Sequence, residues 1–137
     1  MPLDPLIMNK PTPEITINTL LVQLPEKKDV LIYAVNFNTS LAMIGFAEVT
    51  QLEYEFWWIQ SLYVDPEHRG MGIGTQLLRR IISDAEKRGR GGVCLTASHD
   101  NSHALRWYER RGMLRVYEYA DGPIMFHYQL TKATNAT

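Results

Sequence analysis

The run Arg69-Gly70-Met71-Gly72-Ile73-Gly74 decides how this chain is read. Its three glycines alternate with other residues, between an apolar stretch ending at Val64 and a segment of helical periodicity. Glycine adopts backbone conformations closed to other residues and puts no Cβ in the way of a ligand. The following segment, Thr75-Gln76-Leu77-Leu78-Arg79-Arg80-Ile81-Ile82-Ser83-Asp84-Ala85, carries Leu77, Leu78, Ile81, Ile82 and Ala85 on one stripe. That spacing predicts an amphipathic helix, which ends near the left-handed cap offered by Gly89. A glycine-rich turn feeding a helix start gathers free N–H groups and the positive end of the helix dipole at one spot. The segment therefore reads as a site for phosphate or pyrophosphate. It is not the dinucleotide fingerprint, because the last glycine of G-x-G-x-x-G is replaced by Thr75 or Leu77 in the two registers. Nor is it a Walker loop, since no Gly-Lys-Ser/Thr follows.

Outward from this loop the elements alternate. Glu55 to Val64 predicts a long aromatic strand, apolar on both faces and so central in a sheet. Val30 to Asn36 and Leu41 to Thr50 predict a hairpin around Asn36-Phe37-Asn38-Thr39, with a bulge at Gly45. Gly92 to Ala97 predicts a strand parallel to the one before the helix, forming one crossover unit. Asn101 predicts the cap of a second helix that ends at Gly112. Met113 to Tyr119 and Met125 to Leu130 predict two strands around Ala120-Asp121-Gly122-Pro123. At the start, Thr12-Pro13-Glu14 suggests the cap of a short helix reaching about Leu24. The run Ile15-Thr16-Ile17 suggests a strand just as well. Residues 1–11 and the loop Pro25 to Asp29 read as irregular, and residues 131–137 as a polar, disordered tail.

With 137 residues there is room for one domain, spanning residues 1–137, and a hydrophobic content of 45% supports a packed core. The net charge of −1 gives no electrostatic case for nucleic acid or a membrane surface. The basic run Lys87-Arg88-Gly89-Arg90 is better explained by the end of a helix, where cations offset the dipole. Asp4, Pro2 and Pro5 interrupt the N-terminus, so no signal peptide is expected, and no run approaches the ~20 apolar residues of a membrane span. The single cysteine, Cys94, precludes an intrachain disulfide and suits a reducing, cytoplasmic setting. Its neighbours Val93 and Leu95 predict a buried small hydrophobe. His99 and His103 have the spacing of two ligands on one helix face, but a helix starting after Asn101 separates them, and no metal site is expected.

Arg69-x-x-Gly72-x-Gly74, preceded by Val64-Asp65-Pro66-Glu67-His68, resembles the acyl-CoA pyrophosphate loop of the GNAT superfamily of N-acetyltransferases. Trp57-Trp58-Ile59-Gln60-Ser61-Leu62-Tyr63-Val64 resembles that family's fourth strand. Asn101-Ser102-His103-Ala104-Leu105-Arg106-Trp107-Tyr108-Glu109-Arg110-Arg111-Gly112-Met113 resembles its second signature, Asn-x-x-Ala-x-x-x-Tyr-x-x-x-Gly-Phe, with Met in place of Phe. The resemblance covers residues 41 to 130. It implies a mixed α/β GNAT-like fold: a mostly antiparallel sheet with two parallel, splayed strands, flanked by helices. Only 29 residues precede Val30, where family members carry a strand and two helices. One helix is therefore expected to be missing or reduced, leaving the acceptor pocket open or completed by a second subunit.

The same resemblance implies the site. Acetyl-CoA is the co-substrate. Arg69, Gly70, Met71, Gly72, Ile73, Gly74 and Thr75 form the pyrophosphate loop, and Leu62, Tyr63 and Val64 pair with the pantetheine arm like an added strand. An N–H of Leu62 or Tyr63 faces the thioester oxygen. Asn101 either caps its helix, contacts pantetheine, or does both, and Arg110 or Arg111 reaches the phosphates. Tyr108 is the proposed general acid for the departing thiolate, with the small Ala104 one turn earlier leaving room for the donor. The family's usual glutamate base falls near Trp58, which is not an acid, so Glu55 is the candidate, with Glu48 and Glu53 nearby and Gln60 able to hold a water. If these acids face the cleft, their field favours a cationic amine.

The function so implied is acetyl transfer from acetyl-CoA to a primary amine of a small molecule, by direct attack in a ternary complex. Two alternatives stay open: a macromolecular amine of a protein or aminoacyl-tRNA, and a non-catalytic acyl-CoA-binding module.

Overall fold

The computed structural model describes residues 14–23, 25, 29–51 and 56–130. Strand β1 spans Ile15–Val22, β2 Val30–Phe37, β3 Met43–Gln51 and β4 Phe56–Val64. A 3-10 turn, Pro66–His68, leads to helix α1, Ile73–Lys87. Strand β5, Gly92–Ala97, is followed by helix α2, Ser102–Arg110, and by strands β6, Leu114–Glu118, and β7, Ile124–Gln129. Among the described residues seven strands form one sheet in the order β1-β2-β3-β4-β5-β7-β6. Every neighbouring pair is antiparallel except β4 and β5. The fold is thus the mixed α/β arrangement expected, with β4 at the centre.

One expectation is corrected. The helix suggested by Thr12-Pro13-Glu14 does not form; Ile15–Val22 is an outer strand, paired residue by residue with β2 from Ile15↔Phe37 to Val22↔Val30. Ile15, Thr16, Ile17, Thr19 and Val22 are β-branched and fit a pleated surface, and the open edge of β2 supplies the ladder. Among the described residues no helix precedes β2. The expectations for residues 1–11 and 131–137 lie outside the described residues.

The core lies between the sheet and the helices. Trp57, Ile59, Val93, Leu95 and Phe126 alternate into the cluster that contains Leu77, Leu78 and Ile81 of α1. Tyr33 of β2 donates its hydroxyl to Asp84 Oδ2 of α1 at 2.9 Å, tying that layer together. Cys94 is buried as expected, and the Arg88 guanidinium lies 5.3 Å from the Trp57 ring. The alternate residues of the central strands look the other way: Phe56, Gln60 and Thr96 are exposed.

Two irregularities shape the middle of the sheet. The β2/β3 register shifts between Val35 and Asn36, which leaves Ile44 as an extra residue beside Gly45. The β3/β4 register shifts between Glu48 and Val49, where Ser61 and Ile59 are their partners, so Gln60 is the extra residue of β4. A bulge bends its strand and increases its twist. Just ahead of the β4 bulge, β4 and β5 part: their pairing runs through Phe56↔Gly92, Trp57↔Val93 and Trp58↔Cys94 and goes no further along β4. From Ile59 onward β4 has a partner on its β3 side alone.

Candidate active site

Beside the far end of β4, past its last rung to β5, lies a cleft of about 790 Å³. Its floor is Leu62, Tyr63 and Val64. One wall is the turn from Arg69 through Thr75 and the other is α2. The turn takes its shape from two glycines in the left-handed region, Gly70 at φ 81° and Gly72 at φ 80°. A residue with a Cβ pays ~1 to 2 kcal/mol to hold that conformation. Gly72 is also the cap residue of α1 and offers no side chain to the first-turn amides. No acid lies in that first turn either. The amides of Ile73, Gly74 and Thr75 precede the first intrahelical donor, Gln76 N–H, which reaches Gly72 O at 3.0 Å. They form the positive end of the helix, with no partner inside it.

Arg69 is drawn back toward the floor. Its Nε donates to Val64 O at 2.9 Å, and its guanidinium lies 5.7 Å from the Tyr63 ring. Gly74 differs from the other two glycines. A Cβ there would stand 3.2 Å from Trp107 Cζ2 and 3.7 Å from Val64 Cγ2, so the missing side chain makes room for Trp107 of the opposite wall.

On that opposite wall, Asn101 Oδ1 accepts from Ala104 N–H at 3.1 Å, which caps α2 while leaving Asn101 in the cleft. Trp107 and Tyr108 meet edge to face, with centroids 5.3 Å apart, and Tyr108 also leans on Phe126 at 5.6 Å. Burial pushes the Tyr108 phenol above its ordinary pKa, so it keeps its proton to higher pH. Arg111 joins the two walls. Its Nε donates to Thr75 Oγ1 at 2.9 Å and its Nη1 to Trp107 O at 3.3 Å. Loss of solvent, then Arg110 and Arg79, pull its pKa below the usual guanidinium value.

The chain matches the family model described as acetyltransferase (GNAT) family over residues 11–113. The chain belongs to the GNAT family. Among its relatives, an N-alpha-acetyltransferase of Mycobacterium tuberculosis is 37% identical over 81 residues, which is 54% of this chain and 47% of that protein. A streptothricin acetyltransferase of Streptomyces lavendulae is 36% identical over 74 residues, 51% of this chain and 38% of that one. The chain thus spans less than half the length of these curated relatives. A GNAT acetyltransferase structure from Elizabethkingia anophelis with acetyl-CoA bound superposes with a TM-score of 0.71, at 16% identity, over 85% of this chain and 99% of that one. At that identity the likeness is one of fold.

Within this GNAT frame most of the residues singled out in the sequence come together. Leu62, Tyr63, Val64, Arg69, Gly70, Gly72, Ile73, Gly74, Thr75, Asn101, Tyr108 and Arg110 all line the one cleft. Met71 does not; it packs against the core instead. Glu55 and Glu53 lie outside the described residues. Glu48 stands across from Ser61, next to the bulge. His99 precedes α2 and its Nδ1 lies 3.2 Å from Glu118 Oε1, whereas His103 lines the cleft, so the two do not share a helix face. Trp107 carries no signature in the sequence, and its place over Gly74 follows only from how α2 docks.

Proposed function

We propose that the protein transfers an acetyl group from acetyl-CoA to a primary amine of a small molecule by direct attack in a ternary complex. One observation carries this reading: the unpartnered amides of the first turn of α1 and the phenol of Tyr108 line the same cleft. The group to be held fits what is there. A pyrophosphate suits the turn at Gly70 and Gly72 and the helix end behind it. An extended amide-bearing arm suits the unpaired side of β4 at Leu62 to Val64. Acetyl-CoA supplies a thioester carbonyl and a thiol leaving group.

The chain's own groups then have these roles. Backbone N–H groups from Gly70 to Thr75, with Arg69 and Arg110, hold the phosphates. An N–H of Leu62 or Tyr63 stabilises the oxyanion. The amine nitrogen forms the C–N bond as the C–S bond breaks, and Tyr108 gives its proton to the departing sulfur. The proton lost by the amine passes to a carboxylate, directly or through water. Glu55 is the candidate for that base, and Glu48 stands across from Ser61, next to the bulge at Gln60. If two of these carboxylates face the cleft, their field favours a cationic or polyamine-like acceptor over an amino acid with a free carboxylate.

A macromolecular acceptor is the second reading, favoured by the M. tuberculosis relative named as an N-alpha-acetyltransferase. A homodimer belongs to the proposal as well, supported by the outer strand β6, whose five residues are all exposed, Leu114, Val116 and Tyr117 among them. So does a cytoplasmic location, supported by a sequence whose one cysteine, Cys94, has no partner for an intrachain disulfide. No helix among the described residues is long and apolar enough to cross a membrane.

The test is a panel of small amines matched in size and differing by one charge, each offered with acetyl-CoA while thiol release is followed. A preference for cationic amines is expected. CoA binding without turnover on any small amine or N-terminal peptide would leave the non-catalytic alternative in its place.

A further inference from the structure

We propose that Arg111 is a positioning residue, which sets the width of the cleft and thereby the placement of Tyr108. The inference rests on the acetyl-transfer reading and assigns a part to a side chain outside it.

The geometry is that of a brace. Arg111 follows the last turn of α2, and its Nε reaches across to Thr75 Oγ1 at 2.9 Å, in the first turn of α1. Its guanidinium carbon lies 4.1 Å from the centroid of the Trp107 ring, and Nη1 bonds the Trp107 carbonyl at 3.3 Å. Trp107 is itself the residue that closes on Gly74. Two adjacent contacts therefore hold the walls together: Arg111 to Thr75, and Trp107 to Gly74. Tyr108 is the next residue after Trp107 on the same helix. Any tilt of α2 that loosens these contacts carries the phenol away from the amides of α1.

A planar guanidinium suits this task and an ammonium does not. It lies over an indole while its N–H groups donate to two acceptors at once, whereas lysine offers a point charge on a flexible stem. A brace and a phosphate-binding cation thus respond differently to Arg111→Lys. The brace is lost and the charge is kept. Thr75→Val is the complement, since it keeps Arg111 and removes its partner across the cleft.

The experiment measures kcat for acetyl transfer to the best amine of the panel, and Kd for CoA by calorimetry. The proteins are wild type, Arg111→Lys, Thr75→Val, Tyr108→Phe and the double variants Arg111→Lys/Thr75→Val and Arg111→Lys/Tyr108→Phe. For a brace, Arg111→Lys and Thr75→Val each lower kcat by ~10-fold or more, because a misplacement of about 1 Å costs up to ~10²-fold. CoA Kd changes by less than ~3-fold in both. Their double variant is no worse than either alone, the mark of a shared interaction. In the Tyr108→Phe background, Arg111→Lys has little further effect on kcat, because there is no phenolic proton left to place. A merely structural role would not produce that last result. If kcat losses multiply in the Tyr108→Phe background, or if Arg111→Lys leaves kcat within ~2-fold of wild type, the brace is wrong. If Arg111→Lys acts on CoA Kd alone, Arg111 is a phosphate contact instead. Failure of wild type to bind CoA would overturn the acetyl-transfer reading itself, an outcome distinct from all of these.

Discussion

Gly74 and Trp107 sit so close that a Cβ on the glycine would stand 3.2 Å from the indole. Gly74 is inside α1 and needs no left-handed conformation, so glycine is there for space. Gly74→Val is therefore expected to destabilise by ~1 to 3 kcal/mol, the usual cost of overpacking a filled site. Trp107→Leu in the same chain should recover part of that loss. Urea unfolding of the two single variants and the pair checks this, and purely additive losses would show that the indole is not the obstacle.

Tyr108→Phe keeps the ring against Phe126 and removes only the hydroxyl. Turnover should fall ~10² to 10⁴-fold while CoA affinity hardly moves. Because burial raises the phenol's pKa, wild-type kcat should hold past the ordinary tyrosine value of ~10 before it drops. A donor whose thiol is more acidic should partly rescue the variant. Turnover like wild type, with chemistry rate-limiting, would remove Tyr108 as the acid.

Burial lifts the Cys94 thiol from 9.0 to about 11. The unfolded chain releases this proton first, so the stability it contributes is intact below pH ~9 and is lost as pH rises through about 11. Tyr33 and Tyr108, raised in the same direction, extend the loss to higher pH. Cys94→Ala should flatten the first part of that alkaline decline in thermal unfolding. Iodoacetamide should label native Cys94 far more slowly than the unfolded chain at pH 8.5.

His127 covers Gly92 closely enough that a Cβ there would collide with the imidazole and come within 3.0 Å of Tyr128 O. Gly92→Ala should cost ~1 to 3 kcal/mol, and His127→Ala should relieve only the part due to the ring. Burial also lowers the His127 pKa. A histidine held neutral in the fold contributes stability above the unfolded pKa of ~6.5, and that stability is lost as pH falls through the lower folded value. His127→Phe should therefore reduce the acid sensitivity of the melting temperature between pH 7 and 5.

Much of this structure is legible in the residue order, because much of it is local. The stripe from Leu77 to Ala85, the cap at Asn101 and the strand Gly92–Ala97 all follow from periodicity and turn chemistry within a dozen residues. The segment after Glu14 is different. Pro13 and the β-branched run favour opposite structures, and pairing with β2 decides between them. In the site, the alternate glycines mark an anion loop, yet nothing local separates Gly74 from Gly70. Gly70 is required by its backbone, with open space where its side chain would be, and Gly74 by a tryptophan far along the chain. The contact between Arg111 and Thr75 spans 36 residues and depends on the docking angle of α2.

The early parting of β4 and β5 has a consequence for the protein's mechanics. Among the described residues only three rungs, at Phe56, Trp57 and Trp58, join the four strands on one side to the three on the other. The sheet is in effect two plates on a short hinge, with α1 riding over it. A donor arm lying along Leu62 to Val64 would act as a weld, supplying rungs that β4 lacks beyond Trp58. Amide exchange in β5 and in the far half of β4 should then slow together when CoA binds, while exchange in β1 stays as it was.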